Sequence, residues 1–255
     1  MNTCITLLTT KEGKDSDPNY WLNKAVSLHK NGKPDEAEKY YEKALERDPK
    51  NNIILTNLGG ILTQLGRYDE AVKCYLEALE INRGIIETWI NYGTALIYSG
   101  NLEEAINCLE EASKIDQNNP MIWRNMGLIF RQQGKFKDAI SCYNESLKFS
   151  PDNIGIWHDK GFVHFNLEEH DDADRCYDEV LKLDPNNSDA LGDKGLVLVF
   201  MGKSHKAIKL FDKALAMDKD NTRILRNKGY ALERLGDLEK AKECFDEADR
   251  FSSKR

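Results

Sequence analysis

Apolar residues along this chain recur at spacings of three and four within stretches separated by short breaks rich in Gly, Asn, Asp and Pro. That spacing gathers each apolar set on one face of a helix. The rhythm is itself periodic. Units that begin at Pro18, Asn52, Ile86, Pro120, Ile154, Ser188 and Thr222 each span 34 residues, and the seventh closes on Arg255 without an insertion or deletion. Two apolar stripes per unit predict two helices per unit, and hence seven helical hairpins in an all-α chain.

The columns of the repeat support this reading. Position four is Trp21, Leu55, Trp89, Trp123, Trp157, Leu191 and Leu225, which accounts for all 4 tryptophans. Position eight is Ala25 and then glycine at 59, 93, 127, 161, 195 and 229; position twenty is alanine in every unit, from Ala37 to Ala241. Position twenty-four is Tyr41, Tyr75, Leu109, Tyr143, Tyr177, Phe211 and Phe245. A glycine inside a helix costs about 1 kcal/mol against alanine, so the glycine column needs a packing reason. The expected one is close approach of the two helices, with glycine facing the alanine column. Tryptophan then covers the gap between neighbouring hairpins. Between the helices, Gly32, Gly66, Gly100, Gly134, Gly202 and Gly236 suit a left-handed helix end. The fifth unit has Glu168 there, which predicts a strained or rearranged turn. Pro49, Pro151 and Pro185 stop second helices.

Over residues 18–255 these columns resemble the tetratricopeptide repeat family. The resemblance implies an α-solenoid, a right-handed superhelix of seven antiparallel helix hairpins. In it the first helices line an inner groove and the second helices form the outer face. The implied units are 18–51, 52–85, 86–119, 120–153, 154–187, 188–221 and 222–255. Residues 1–17 are expected to be a disordered or partly ordered leader, because Ile5–Leu8 is too short for a signal segment and lacks a basic flank.

The family binds partners through that groove, so the outward positions of the first helices are the candidate site. Position six reads Asn23, Asn57, Asn91, Asn125, Asp159, Asp193 and Asn227. A carboxamide donates and accepts, and can pair with a peptide backbone whatever its side chains. This column resembles the asparagine ladder of O-linked N-acetylglucosamine transferase repeats, although each Asn could equally bond to a neighbouring turn. Specificity is expected from the variable positions: Thr94 and Tyr98, Arg124, Leu128 and Arg131, His158 and Phe162, and Arg226. Phe162, Phe165, Val199 and Phe200 face either the groove or the joint between repeats. The set is apolar with cationic points, and arginine matches a carboxylate with two parallel bonds. The expected ligand is a protein or peptide with apolar anchors and an acidic residue. The clamp for the C-terminal carboxylate of chaperone tails is disfavoured, because no unit has asparagine at position nine.

Composition narrows the picture further. A net charge of −7 argues against nucleic-acid binding, and no apolar run is long enough to span a membrane. Six cysteines without a secretory signal point to the cytoplasm. Cys74, Cys108, Cys142, Cys176 and Cys244 occupy one column, and repeat-to-repeat spacing is too wide for disulfides. They read as buried or half-buried apolar thiols, leaving Cys4 as the reactive one. His164, Glu168, Glu169, His170, Asp171 and Asp172 read as a solvated turn. No catalytic motif, metal motif or cofactor loop is present, so no cofactor and no enzymatic activity are expected. Two alternatives stand beside the adaptor reading. One is the substrate-recruiting repeat portion of a multi-component enzyme, such as a glycosyltransferase. The other is a self-associating module: the segment from Leu238 to Phe251 keeps Leu238, Phe245 and Phe251 among its charges, which leaves end-to-end stacking of two copies open.

Overall fold

The computed structural model describes residues 17–253, and every regular element among them is an α-helix. The helices come in pairs: α1 (Pro18–Lys30) with α2 (Pro34–Arg47), α3 (Asn52–Gln64) with α4 (Tyr68–Ile81), and α5 (Ile86–Ser99) with α6 (Leu102–Ile115). Then follow α7 (Pro120–Gln132) with α8 (Phe136–Phe149), α9 (Ile154–Asn166) with α10 (His170–Leu183), α11 (Ser188–Phe200) with α12 (Ser204–Met217), and α13 (Thr222–Arg234) with α14 (Leu238–Ser252). The leader and Cys4 lie outside the described residues. Two compact units divide the chain, Met1–Met126 and Gly127–Arg255, and the division falls within α7. Inside each unit, every hairpin packs on the next through its second helix and the following first helix.

A polar side chain before most first helices sets where the helix starts, Ile85 before α5 being an exception. Asn51 accepts hydrogen bonds from the backbone N–H groups of Ile53 and Ile54, while Asn153, Asn187 and Asn221 accept from Ile156, Ala190 and Ile224. Each bond satisfies an N–H that the helix leaves without an internal partner. The turns are fastened from the other side by aspartate: Asp48, Asp184 and Asp218 accept from the side-chain amides of Asn51, Asn187 and Asn221 at 2.9, 3.3 and 3.1 Å. First helices end where the chain turns left-handed, at the six glycines with φ between 70° and 86°. Glu168 takes the same conformation at φ 60°, so the fifth turn keeps its shape and accepts the strain.

The glycine column corrects one expectation. A Cβ placed at Gly59 would lie 2.6 Å from Tyr75, and one at Gly229 would lie 2.6 Å from Phe245. Gly127 and Gly195 likewise face Tyr143 and Phe211. Glycine therefore faces the aromatic column, not the alanine column: its missing side chain makes room for a ring buried between the helices. In the third hairpin Leu109 replaces the ring, and the Ala105 carbonyl is among the nearest atoms, 3.5 Å from a Cβ at Gly93. Tryptophan ties a first helix to the turn before it. Trp89 Nε1 donates to the Arg83 carbonyl at 2.8 Å, and Trp157 Nε1 to that of Pro151 at 2.7 Å.

Candidate binding face of the first helices

In the unit Met1–Met126 the expected polar ladder divides into two kinds of residue. Asn57 on α3 and Asn91 on α5 are half-buried, and among the described residues neither spends its carboxamide on a bond within the fold. Asn125 on α7 behaves differently. It is 1% exposed, and its amide donates to Thr94 Oγ1 at 2.8 Å and to the Ile90 carbonyl at 3.5 Å. Thr94 in turn donates to the Ile90 carbonyl at 2.8 Å. Asn125 is therefore a joint between the third and fourth repeats, and its expected place on the open face is corrected. Thr56 and Thr88 make a similar buried joint at 2.8 Å. Tyr98 is 55% exposed, and its ring stacks on Tyr68 with centroids 6.2 Å apart. Arg124 is half-buried and engaged within the fold.

In the unit Gly127–Arg255 the acidic members of the ladder are likewise turned to neighbours. Asp159 is buried and meets Arg131 at 3.2 Å. The same guanidinium lies over the Phe162 ring, 5.2 Å from its centroid, a cation–π arrangement. Asp193 on α11 accepts from His158 Nε2 on α9 at 2.9 Å and from Arg223 on α13, so one carboxylate joins three successive first helices. Arg223 also reaches Asp189 at 3.1 Å. The hydrogen bond to Asp193 raises the His158 pKa above its ordinary 6.5. Desolvation pushes Asp193 up, but the bonds from His158 and Arg223 outweigh it and hold the carboxyl below its ordinary range. Leu128 is buried, which removes it from the expected lining, and so is Val199. Arg226 is exposed but paired with Asp249 on α14 at 2.8 Å.

What remains open on these first helices is aromatic. Phe162, Phe200 and Tyr230 are 41%, 46% and 40% exposed. Phe165 is half-buried and meets Phe200 edge-on, with centroids 5.3 Å apart. Tyr230 shares position nine with Phe162 and Phe200 shares position thirteen with Tyr98, and this column pattern was the signal that could have ranked them higher. The second helices carry an open apolar column of their own at position thirty: Ile81, Ile115, Phe149, Leu183 and Met217.

The cysteine column is buried or half-buried as expected. Cys108, Cys142, Cys176 and Cys244 are buried and Cys74 is half-buried, all as free thiols. Burial pushes the Cys74, Cys142 and Cys176 thiols up to about 11 and Cys108 up to about 12. The turn of the fifth hairpin is not simply solvated. His164 is buried and its Nδ1 meets Glu169 at 2.7 Å, while the His170 ring packs against Phe165 and Phe200. Among the described residues, no helix is long and apolar enough to cross a membrane.

Comparisons with known proteins agree with this architecture. No curated protein matches the chain. Residues 155–187, 176–209 and 193–254 each match a family described as tetratricopeptide repeat. Among solved structures, the APC/C hetero-tetramer Cut9–Hcn1 is similar at 18% identity and TM-score 0.77, over 89% of this chain and 44% of that one. This chain therefore spans less than half of that chain's length. A thermophilic tetratricopeptide protein of Thermus thermophilus is similar at 18% identity and TM-score 0.67, over 72% of this chain and 100% of the other. Pseudomonas aeruginosa pilF is similar at 20% identity and TM-score 0.64, over 83% and 96%. At these identities the likeness speaks to the fold. Residues 3–153, more than half of the 255, match the family described as the Cilia and flagella-associated protein 70 C-terminal domain, and the chain belongs to that family as a tetratricopeptide repeat protein.

Proposed function

We propose that the protein is a non-catalytic scaffold that holds a protein partner along the open faces of its first helices. The observation that carries this reading is the division of labour within one helix set. Asn125, Asp159 and Asp193 are used up in joints between repeats, whereas Asn57 and Asn91 keep their carboxamides for a ligand. Exposed Tyr98 lies on the same helix as Asn91, and in the other unit stand Phe162, Phe200 and Tyr230. Carboxamides that bond a peptide backbone and aromatic rings that take apolar anchors suit an extended apolar segment. An acidic ligand residue has a narrower opening than the sequence suggests. Arg131 and Arg226 are already paired with Asp159 and Asp249, so a ligand carboxylate must displace one of those partners.

The test uses a peptide selected on the full-length chain from a random display library. Asn57→Ala combined with Asn91→Ala is expected to weaken its binding about thirtyfold, at roughly 1 kcal/mol per neutral hydrogen bond. The melting temperature should stay nearly unchanged, because neither amide supports the fold. Unaltered affinity would move the peptide to another face.

A further inference from the structure

Three departures from the repeat pattern coincide at the turn of the fifth hairpin. Position eleven is Leu28, Leu62, Leu96, Phe130, Leu198 and Leu232 in six repeats, and His164 in this one. Position fifteen is glycine in the other six and Glu168 here. Position sixteen is basic in four of them, at Lys33, Arg67, Lys135 and Lys203, and is Glu169 here. The first two changes work against the hairpin, and the third adds negative charge to its turn. An imidazole replaces an alkyl group at a site where Leu62, Leu96, Leu198 and Leu232 are buried. A side chain occupies a left-handed position. Glu168, Glu169, Asp171 and Asp172 then crowd like charge at the start of α10. Local rules broken together at one place mark a site with another task.

The geometry names that task. One ring nitrogen of His164 and one carboxylate oxygen each from Glu169 and Asp172 lie within 4.8 Å of one another. The imidazole is held in the hairpin core at 9% exposure, while the carboxylates are on the open side. Tetrahedral zinc with bonds near 2.0–2.2 Å holds its donors about 3.3 Å apart, and His164 Nδ1 and Glu169 are already 2.7 Å apart. Asp172 has a competing partner in Arg175 at 3.1 Å, and both of those side chains face solvent, so it can swing over at small cost.

We propose that His164, Glu169 and Asp172 form a binding site for a divalent transition-metal ion of the zinc type, with water completing the shell. The ion takes the place of the proton shared by His164 and Glu169, offsets the like charges, and ties the end of α9 to the start of α10. An imidazole with two carboxylates favours zinc and its neighbours over magnesium. His170 is outside the donor set, because its ring packs on Phe165 and Phe200.

The test titrates the chelator-stripped full-length chain with zinc chloride against a chromophoric chelator, and follows the melting temperature at each zinc concentration. The wild type is expected to take one equivalent at this site and to melt higher as free zinc rises, since an ion that binds only the folded state stabilises it. His164→Leu restores the residue of the sibling repeats and should fold, yet bind at least tenfold more weakly and lose the zinc-dependent shift. Glu169→Gln keeps a partner for His164 but removes a charge, and should weaken binding in the same direction. Thiols elsewhere can also take zinc, so a long-range proton–nitrogen imidazole spectrum assigns the signal: His164 Nδ1 must shift on titration. No uptake, or His164→Leu binding zinc as the wild type does, overturns the proposal.

Discussion

Replacing Gly195 by leucine is expected to destabilise the sixth hairpin by about 3 kcal/mol, the upper end of what overpacking a dense core costs. A Cβ at this position of α11 would already lie 2.8 Å from Phe211 Cζ. That ring is fully buried, enclosed by Leu191, Leu198, Ala207 and Ile224, and has nowhere to go. Gly93→Ala is expected to have the opposite sign. There Leu109 stands in place of a ring, and the nearest atoms to an added Cβ are at 3.4–3.5 Å, ordinary contact. Relief of the glycine's helix cost then stabilises by up to about 1 kcal/mol. The first hairpin shows that one methyl can be housed when the helices are set for it, since Ala25 and Tyr41 are both buried. Leucine exceeds that allowance. Urea unfolding gives the global effect, and amide exchange in α11 and α12 localises it, because stability in a repeat array is largely a sum over neighbours. Equal effects at Gly195 and Gly93 would contradict the glycine–ring pairing.

Asp193→Ala is expected to cost about 2 kcal/mol, because hydrogen bonds to a charged group contribute more than neutral ones. Most of the loss comes from the His158 contact, since Arg223 is half-exposed and its share is screened by water. The effect depends on pH. The His158 pKa is raised in the folded protein, so its contribution is complete below 6.5 and fades as pH rises through the folded value. The Asp193 pKa is lowered, so its contribution is present above 3.8 and is lost as pH falls through its folded value. The melting-temperature gap between wild type and Asp193→Ala should therefore be wider near about pH 6 than near about pH 8. In a His158→Gln background the gap should lose that dependence. A gap that widens toward high pH would mean that His158 is not the partner that matters.

The repeat was readable because each column performs one structural task in every hairpin. Alanine at position twenty recurs in all seven hairpins, and the ring at twenty-four and glycine at the turn in six of them. What glycine at position eight faces was not readable, because the rotation of one helix against the other decides it. The fate of the position-six ladder was hidden for a different reason. Thr94 and Asn125 are 31 residues apart, and His158 and Asp193 are 35 apart. Identical residue types in one column can therefore face a neighbouring repeat or solvent without any change in local sequence. His164 was visible as a break in an apolar column, but the acidic residues around it made the turn look merely wet. The open rings at Phe162 and Tyr230 share position nine with buried Leu128, and only the packing separates them.

The claim that the first helices carry the partner is tested most directly by site-specific photo-crosslinking of the full-length chain in native extract. A photoreactive phenylalanine analogue is placed in turn at Tyr98 and Phe162 on first helices, and at Ile115 and Phe149 in the exposed column of second helices. The proposed function predicts that a partner is captured from Tyr98 and, in the other unit, from Phe162, and that Asn57→Ala with Asn91→Ala reduces capture from Tyr98. Capture from Ile115 and Phe149 alone, insensitive to those substitutions, would place the partner on the second helices and contradict it.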